Sequence, residues 1–143
     1  RDDELFSSSV KIDNQYRNRQ RIGFSIKKPE KPLSEASLVG DFFAAGYAED
    51  ERGVRTSFFA TITFDGAGGW RLSGTRNTSD KGGNQAVSES GSYSYDATTG
   101  TFLIGNTPET LALNDEGDIA IVTNIADKSY QSVGLAVKVI LFP

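Results

Sequence analysis

From Asp41 onward the sequence alternates apolar and polar residues in short runs bounded by Gly, Asp and Asn. This two-residue period is typical of β-strands, because successive side chains of a strand point to opposite faces. In the run SFFATITF, for example, Phe58, Ile62 and Phe64 fall on one face. No helical period is convincing after residue 40, so the sequence predicts an all-β protein.

Hairpin turns determine how these strands pair. The glycine-rich stretch in ATITFDGAGGWRLSG contains Asp-Gly turn chemistry and leads into another strand, which favours a hairpin loop over a phosphate-binding loop. This loop places Phe64 opposite Trp70, with Ile62 opposite Leu72, and keeps the apolar side chains on one face. The same reasoning predicts eight consecutive antiparallel strands, at about 41–49, 54–64, 70–78, 85–95, 101–105, 110–114, 118–126 and 132–141.

Four further pairings support this predicted meander: Ala48 with Val54, Tyr95 with Phe102, Leu113 with Ile119, and Ile125 with Val133. A meander with one apolar face must close into a barrel or pack as two sheets, and we favour a closed, lipocalin-like up-and-down barrel. The predicted domains are an extended N-terminal arm with a Pro/Lys linker at 1–35 and a barrel at 36–143. The predicted lumen residues on the last two strands include Ile119, Ile121, Thr123, Leu135, Val137 and Val139.

The stretches VGDFFAAGY, TITFDGAGGWRLSGT and SGSYSYDATTG resemble the small calycin or lipocalin-like β-meander domains of secreted bacterial proteins. The resemblance covers about residues 39–141. The Gly-x-Trp signature of true lipocalins is absent, and Gly40-Asp41-Phe42 stands in the comparable place. The resemblance implies a barrel with a ligand-sized interior, and it implies no particular ligand.

Small residues in the predicted lumen leave two alternatives open. In the first, an apolar cavity holds a small apolar ligand, with Trp70, Tyr93 and Tyr95 as its wall and Arg76 and Glu89 at its mouth. In the second, larger side chains fill the lumen, and Arg76 pairs with Glu89 as an ordinary cross-strand ion pair. The small residues are Ala44, Gly46, Ala48, Ala60, Gly74 and Gly91.

The outer face of the predicted barrel is partly apolar. The register places Phe43 opposite Phe59 with Tyr47 beside them, and across the seam Val122, Ala136, Ile140 and Phe142 also face outward. A contiguous apolar patch usually marks a contact surface. The candidate cover is the arm segment RIGFSIKK, which folds back on its own barrel or docks on a neighbouring copy. The candidate interface residues are therefore Ile22, Phe24, Ile26, Phe43, Tyr47 and Phe59.

Composition restricts the chemistry of the chain. It contains no Cys and no His, which excludes thiolate chemistry, Ser-His-Asp hydrolysis and the usual zinc sites. The carboxylates of the loops AEDERG and NDEGD do not match a calcium loop, so no metal and no cofactor are predicted. An isomerase-type enzyme that uses Glu89, Arg76 and Tyr93 is the third hypothesis. The first hypothesis is a non-catalytic interaction or assembly module that binds a protein partner or self-associates through the arm, and the second is the carrier of a small apolar ligand described above.

Charge and termini suggest where such a protein acts. The formal net charge is −4, and the acidic balance of the barrel region argues against nucleic-acid binding. The basic residues between Lys11 and Lys31 either contact an acidic partner or form a solvated face. The chain begins at Arg1 and has no Met, so we expect a processed product, secreted or located at the cell surface or in the periplasm. No apolar run is long enough for a membrane-spanning helix.

Overall fold

The structure is a computed structural model that describes residues 5–13, 19–105, 109–124 and 129–140, with side chains described from residue 23 onward within these ranges. An N-terminal hairpin consists of β1 (Leu5–Asp13) and β2 (Arg19–Lys27), and the short 3-10 helix η1 (Glu35–Ser37) follows it. Eight further strands come next: β3 (Val39–Asp50), β4 (Arg55–Asp65), β5 (Gly69–Thr78), β6 (Asn84–Asp96), β7 (Thr101–Ile104), β8 (Thr110–Leu113), β9 (Ile119–Asn124) and β10 (Tyr130–Lys138).

Strands β3 to β10 form a closed antiparallel barrel in meander order, and β10 closes it by pairing with both β9 and β3. The predicted fold class is confirmed, and closure pairs every barrel strand with two neighbours, although β6 pairs with β7 only from Tyr93 to Asp96. This is the kind of barrel that the resemblance to calycin or lipocalin-like domains implies. The division into an arm at 1–35 and a barrel domain at 36–143 stays a prediction. Among the described residues, no helix has the length and hydropathy to cross a membrane.

Two predicted pairings, Phe64 with Trp70 and Tyr95 with Phe102, are confirmed. The pairing of Ala48 with Val54 is wrong by two residues, since Ala48 pairs with Thr56. The cause is the Asp50 carboxylate, which accepts hydrogen bonds from the backbone N–H groups of Arg52 and Val54. These bonds form a shorter turn, in which Gly53 adopts a left-handed backbone conformation with φ 76°.

The pairing of Leu113 with Ile119 is wrong by one residue, since Leu113 pairs with Ala120. Here the Asn114 side-chain oxygen accepts hydrogen bonds from the backbone N–H groups of Asp118 and Ile119, at 3.1 and 3.0 Å. Asn114 therefore extends the ladder, because its own N–H donates to the Ile119 carbonyl at 2.9 Å. A slip of one residue turns a strand over, so the predicted faces of β9 and β10 are exchanged.

The exchange corrects several sequence predictions. Val122 and Ala136, expected outside, lie on the inward face that they share with Leu111 and Ala44. Val139 lies beyond the end of β10, and Phe142 and Ile125 lie outside the described residues. The residues expected in the lumen that lie on the outward face are Ile119, Ile121, Thr123, Leu135 and Val137.

The N-terminal hairpin lies beside β9 and β10 of its own barrel. Ala112, Ile121 and Val133 point outward, yet their exposed fractions are only 5%, 1% and 1%. On β2, Phe24 and Ile26 are half-buried, whereas the residues that alternate with them are exposed. The hairpin therefore covers part of the outer apolar surface that β9 and β10 present.

Aromatic side chains fill one end of the barrel. The rings of Phe42 and Phe64, of Phe64 and Tyr93, and of Tyr93 and Phe102 meet edge to face, with centroids 5.7, 5.5 and 6.0 Å apart. The Tyr93 hydroxyl shares its proton between two η1-segment carbonyls, Leu38 O at 2.8 Å and Glu35 O at 3.0 Å. Leu38 is fully buried in the same cluster. The segment around η1 thus closes this end, which we call the closed end.

Candidate ligand site in the barrel lumen

The other end of the barrel, which we call the open end, contains a cavity of about 180 Å³ that opens to solvent. Its apolar wall comes from inward positions on strands β3 to β9, and the exposed side chains of Arg76 and Glu89 mark its mouth. The apolar side chains include Phe58, Ile62, Trp70, Leu72, Val87, Leu111 and Val122. The polar side chains are Thr56, Arg76, Glu89, Glu109, Tyr130 and Ser132.

Large aromatic side chains occupy much of the space that the small residues of the lumen leave. The Phe58 ring occupies the space that a side chain on Gly46 would need, and it also lies against Gly134. In the same way the Trp70 indole lies against Gly91. Larger side chains therefore do fill much of the lumen, but a volume somewhat above the roughly 150 Å³ that suffices for benzene in an engineered cavity remains. Drug-sized ligands need more space, about 300 Å³ or above.

Of the five lumen residues proposed from the sequence, Trp70, Arg76 and Glu89 line the cavity. Tyr93 and Tyr95 lie elsewhere: Tyr93 belongs to the closed end, and the Tyr95 ring packs on Phe102 with centroids 5.2 Å apart. The constellation of Glu89, Arg76 and Tyr93 considered for an enzyme is therefore not brought together. The Trp70 indole N–H donates to Ser92 O at 3.1 Å, which orients the ring.

Arg76 and Glu89 do not form the cross-strand ion pair that the filled-lumen alternative predicted. Arg76 pairs across the ladder with Gln85, and Glu89 with Leu72. Within the part of the chain that the structure describes, the ion pairs shorter than 4 Å join Lys27 to Glu30, Arg52 to Asp50, and Arg55 to Glu49. The charges at the cavity mouth are therefore not neutralised by direct contact.

A second carboxylate, Glu109, lies at the mouth, and the sequence prediction missed it. Burial raises the pKa of Glu109, and the nearby charge of Glu89 raises it further, while the Ser132 hydroxyl partly offsets both. The sequence prediction named Glu89 as a lumen residue, and it began the next strand at residue 110, after Glu109. The two-residue alternation would have predicted that Glu109 faces the lumen, because Glu109 lies two residues before the inward-facing Leu111.

Ser132 and Tyr130 complete the polar mouth. Ser132 is only 5% exposed, and its hydroxyl makes no hydrogen bond of normal geometry to the described residues. Burial raises the pKa of Tyr130, as does the charge of Glu109, whereas Arg76 lowers it. The Tyr130 phenol is therefore protonated at neutral pH and offers an O–H donor. Neither residue was proposed from the sequence.

The candidate interface residues lie on the outer face. Phe43 and Phe59 are 51% and 60% exposed, and their rings stack with centroids 6.3 Å apart, although they are diagonal neighbours and not the directly opposed pair that was predicted. Tyr47 donates to Glu49 Oε2 at 3.0 Å, and burial together with this hydrogen bond raises the pKa of Tyr47 to about 12. The Ile22 side chain lies outside the described residues.

The acidic loops show turn chemistry. The Asn114 amide nitrogen donates to the carboxylates of Glu116 and Asp118, at 3.0 and 2.7 Å. Among the described residues, no group of three or more acidic side chains is arranged to hold a metal ion. The carboxylates of Glu116 and Asp118 therefore stabilise the turn by hydrogen bonds within it.

Comparisons with known proteins give a fold likeness only. No family model matches the chain, and no curated protein matches it in sequence. Among solved structures, the chain is similar to the S-type phycobiliprotein lyase from Guillardia theta, with a TM-score of 0.45 and 10% sequence identity over 77% of this chain and 95% of that one. Such a likeness carries no argument about function, because one fold hosts many functions.

Proposed function

We propose that the chain is a binding protein for a small ligand of about one ring, held in the barrel lumen. The observation that carries this proposal is the cavity of about 180 Å³ at the open end, with an apolar wall and charged groups that form no direct ion pair among the described residues. Pockets that bind small molecules combine these two properties. The closed end supports the proposal, because its packed rings give the cavity a rigid floor.

The size of the cavity sets the expected affinity. Small ligands gain at most about 1.5 kcal/mol per non-hydrogen atom, and most gain considerably less. A one-ring compound has few atoms, so we expect a dissociation constant between roughly the micromolar and millimolar range. Binding of this strength suits a carrier or sensor of an abundant small molecule better than the sequestration of a rare one.

The test is a titration that follows the fluorescence of Trp70, the only tryptophan of the chain and a residue of the cavity wall. A panel of neutral, cationic and anionic one-ring compounds is added to the full chain and to two variants. Val122→Phe adds a ring inside the lumen, and Val137→Phe makes the same change on the outer face, where Val137 is 44% exposed.

Saturable binding that Val122→Phe abolishes and Val137→Phe preserves is the expected result. The proposal fails if no member of the panel gives a saturable signal. It also fails if both variants bind as the unmodified chain does, since the ligand then lies outside the lumen.

A second candidate function, an interaction or assembly module, is favoured by the outer surface. Phe43, Phe59 and Val137 lie on adjacent strands, and each is more than two-fifths exposed. An apolar patch of this kind is typical of protein contacts. Loss of self-association on Phe43→Ser with Phe59→Ser, measured as mass in solution, would support this module, and a monomeric unmodified chain would count against self-association. Secretion stays a prediction of the sequence.

A further inference from the structure

We infer that the lumen ligand carries a primary ammonium group, which seats between the carboxylates of Glu89 and Glu109 at the cavity mouth. This inference rests on the proposed function, and it names the chemical class of the ligand. It follows from the charges that line the cavity, from a buried hydroxyl beside them that lacks a hydrogen bond of normal geometry, and from the apolar wall.

The charges of the mouth favour a cation. Two carboxylates, Glu89 and Glu109, and one guanidinium, that of Arg76, line the cavity. Arg76 lies within 4 Å of neither carboxylate in the described structure, so the mouth carries excess negative charge without internal pairing. An anionic ligand would meet two like charges against one guanidinium, and a neutral one would cover carboxylates that form no direct ion pair.

The Ser132 hydroxyl is a second indication of a polar ligand atom. It is nearly fully buried and it lines the same cavity, and its interaction with the Glu109 carboxylate falls short of a hydrogen bond of normal geometry. Buried hydroxyls normally have a partner, because an unsatisfied one costs free energy. A primary ammonium offers three N–H donors, which matches the acceptors that Glu89, Glu109 and Ser132 provide.

The apolar wall beside these carboxylates accepts the remainder of such a ligand. Leu72, the cross-strand partner of Glu89, and Val122 lie on inward positions of the cavity, and Trp70 adds an aromatic wall. An amine with a single ring or a short branched chain therefore places its apolar part in the lumen and its ammonium at the mouth. The remaining volume excludes larger bodies.

Protonation of Glu109 makes this binding pH-dependent. The titratable groups that line the same cavity are Arg76, Glu89 and Tyr130. Burial and Glu89 raise the pKa of Glu109, so this carboxyl becomes protonated at a higher pH than an ordinary Glu. An ammonium ligand favours the ionised form, so affinity falls as the pH is lowered through the raised pKa of Glu109, and binding releases protons in that range.

The experiment measures the binding of three matched probes to the full chain by calorimetry: benzylammonium, benzyl alcohol and benzoate. We expect benzylammonium to bind about tenfold more tightly than benzyl alcohol, and benzoate to bind most weakly. Glu109→Gln and Glu89→Gln each reduce this preference. Glu35→Gln, an equal change of charge on an exposed residue at the closed end, leaves it unchanged. Thermal melts establish that each variant is folded.

The outcomes separate the two proposals. If benzyl alcohol or benzoate binds as tightly as benzylammonium, the ammonium inference is overturned and the lumen site stands. If Glu35→Gln lowers the preference as much as the two mouth variants do, the inference is also overturned, since net charge alone then explains it. If none of the probes or the wider panel binds, both proposals fail together.

Discussion

The two ends of the barrel differ in how side chains fill the lumen. At the closed end, Phe42, Phe64 and Tyr93 fill the lumen, and the η1 segment is hydrogen-bonded across it. At the open end, large side chains lean over glycines and leave a cavity whose charged groups are unpaired. An eight-stranded barrel is just wide enough for either solution. The closed end therefore contributes most to the stability of the barrel, and the open end contains the candidate ligand site.

The largest expected difference between the ends concerns core aromatic residues. Phe42→Ala removes a fully buried ring from the closed end, and we expect it to lower the free energy of unfolding by about 3–5 kcal/mol. Phe58→Ala at the open end should cost less than half as much, because Phe58 is half-buried and already borders a cavity. Urea denaturation measures both values. Equal costs would contradict the assignment of stability to the closed end.

The Tyr93 hydroxyl provides the next test. Tyr93→Phe leaves the Leu38 and Glu35 carbonyls without their donor, so we expect a loss of about 1–3 kcal/mol in the free energy of unfolding. Tyr95→Phe is the matched control, since the Tyr95 hydroxyl forms no hydrogen bond to the described residues, and its effect should stay within about 0.5 kcal/mol. If the two variants were equally stable, η1 would not close the barrel through Tyr93.

At the open end, Glu109 should make stability depend on pH. Its pKa in the folded state is raised above the unfolded value, so the protonated carboxyl stabilises the fold, and this contribution is lost as the pH rises through the raised pKa. Glu109→Gln removes this dependence. The variant should therefore gain stability relative to the unmodified chain as the pH rises from about 4.5 toward neutrality. Parallel pH profiles of the two proteins in thermal melts would contradict the burial of this carboxyl.

The smallest effect is expected at the Asp65 turn of the closed end. The pKa of Asp65 is lowered because the backbone N–H groups of Ala67 and Gly69 donate to its carboxylate, at 2.8 Å each. This stabilisation is present above the unfolded pKa and is lost as the pH falls through the lowered folded pKa. Asp65→Asn should lower the melting temperature slightly at neutral pH and have no effect in strong acid. A difference that persists in acid would contradict an electrostatic origin.

Sequence reasoning predicted the barrel and most of its pairings, because two-residue alternation and Asp-Gly turns carry that information locally. It failed at two turns, where the side chains of Asp50 and Asn114 accept backbone hydrogen bonds and extend the ladder. The first error shifted β3 by an even number of residues and preserved its faces. The second error shifted the pairing by one residue, so the predicted inward and outward faces of β9 and β10 were exchanged.

The candidate site was predicted in part. Arg76 and Glu89 stand out as charged residues at inward positions of regular strands, and alternation places them at the mouth. Glu109 precedes the short strand β8, and Ser132 lies on a strand whose face was inverted, so neither was found. Residual cavity volume depends on how every lumen side chain packs, and pattern alone does not contain that quantity.

The most direct test of ligand binding at the open end is an NMR measurement of nuclear Overhauser contacts between bound benzylammonium and protein methyl groups. We predict contacts from the ring protons of the ligand to the methyl groups of Ile62, Leu72 and Val122, which line the cavity. Contacts to Val137, on the outer face beside Phe43, would instead place the ligand on the outer patch. That result would contradict the lumen as the binding site.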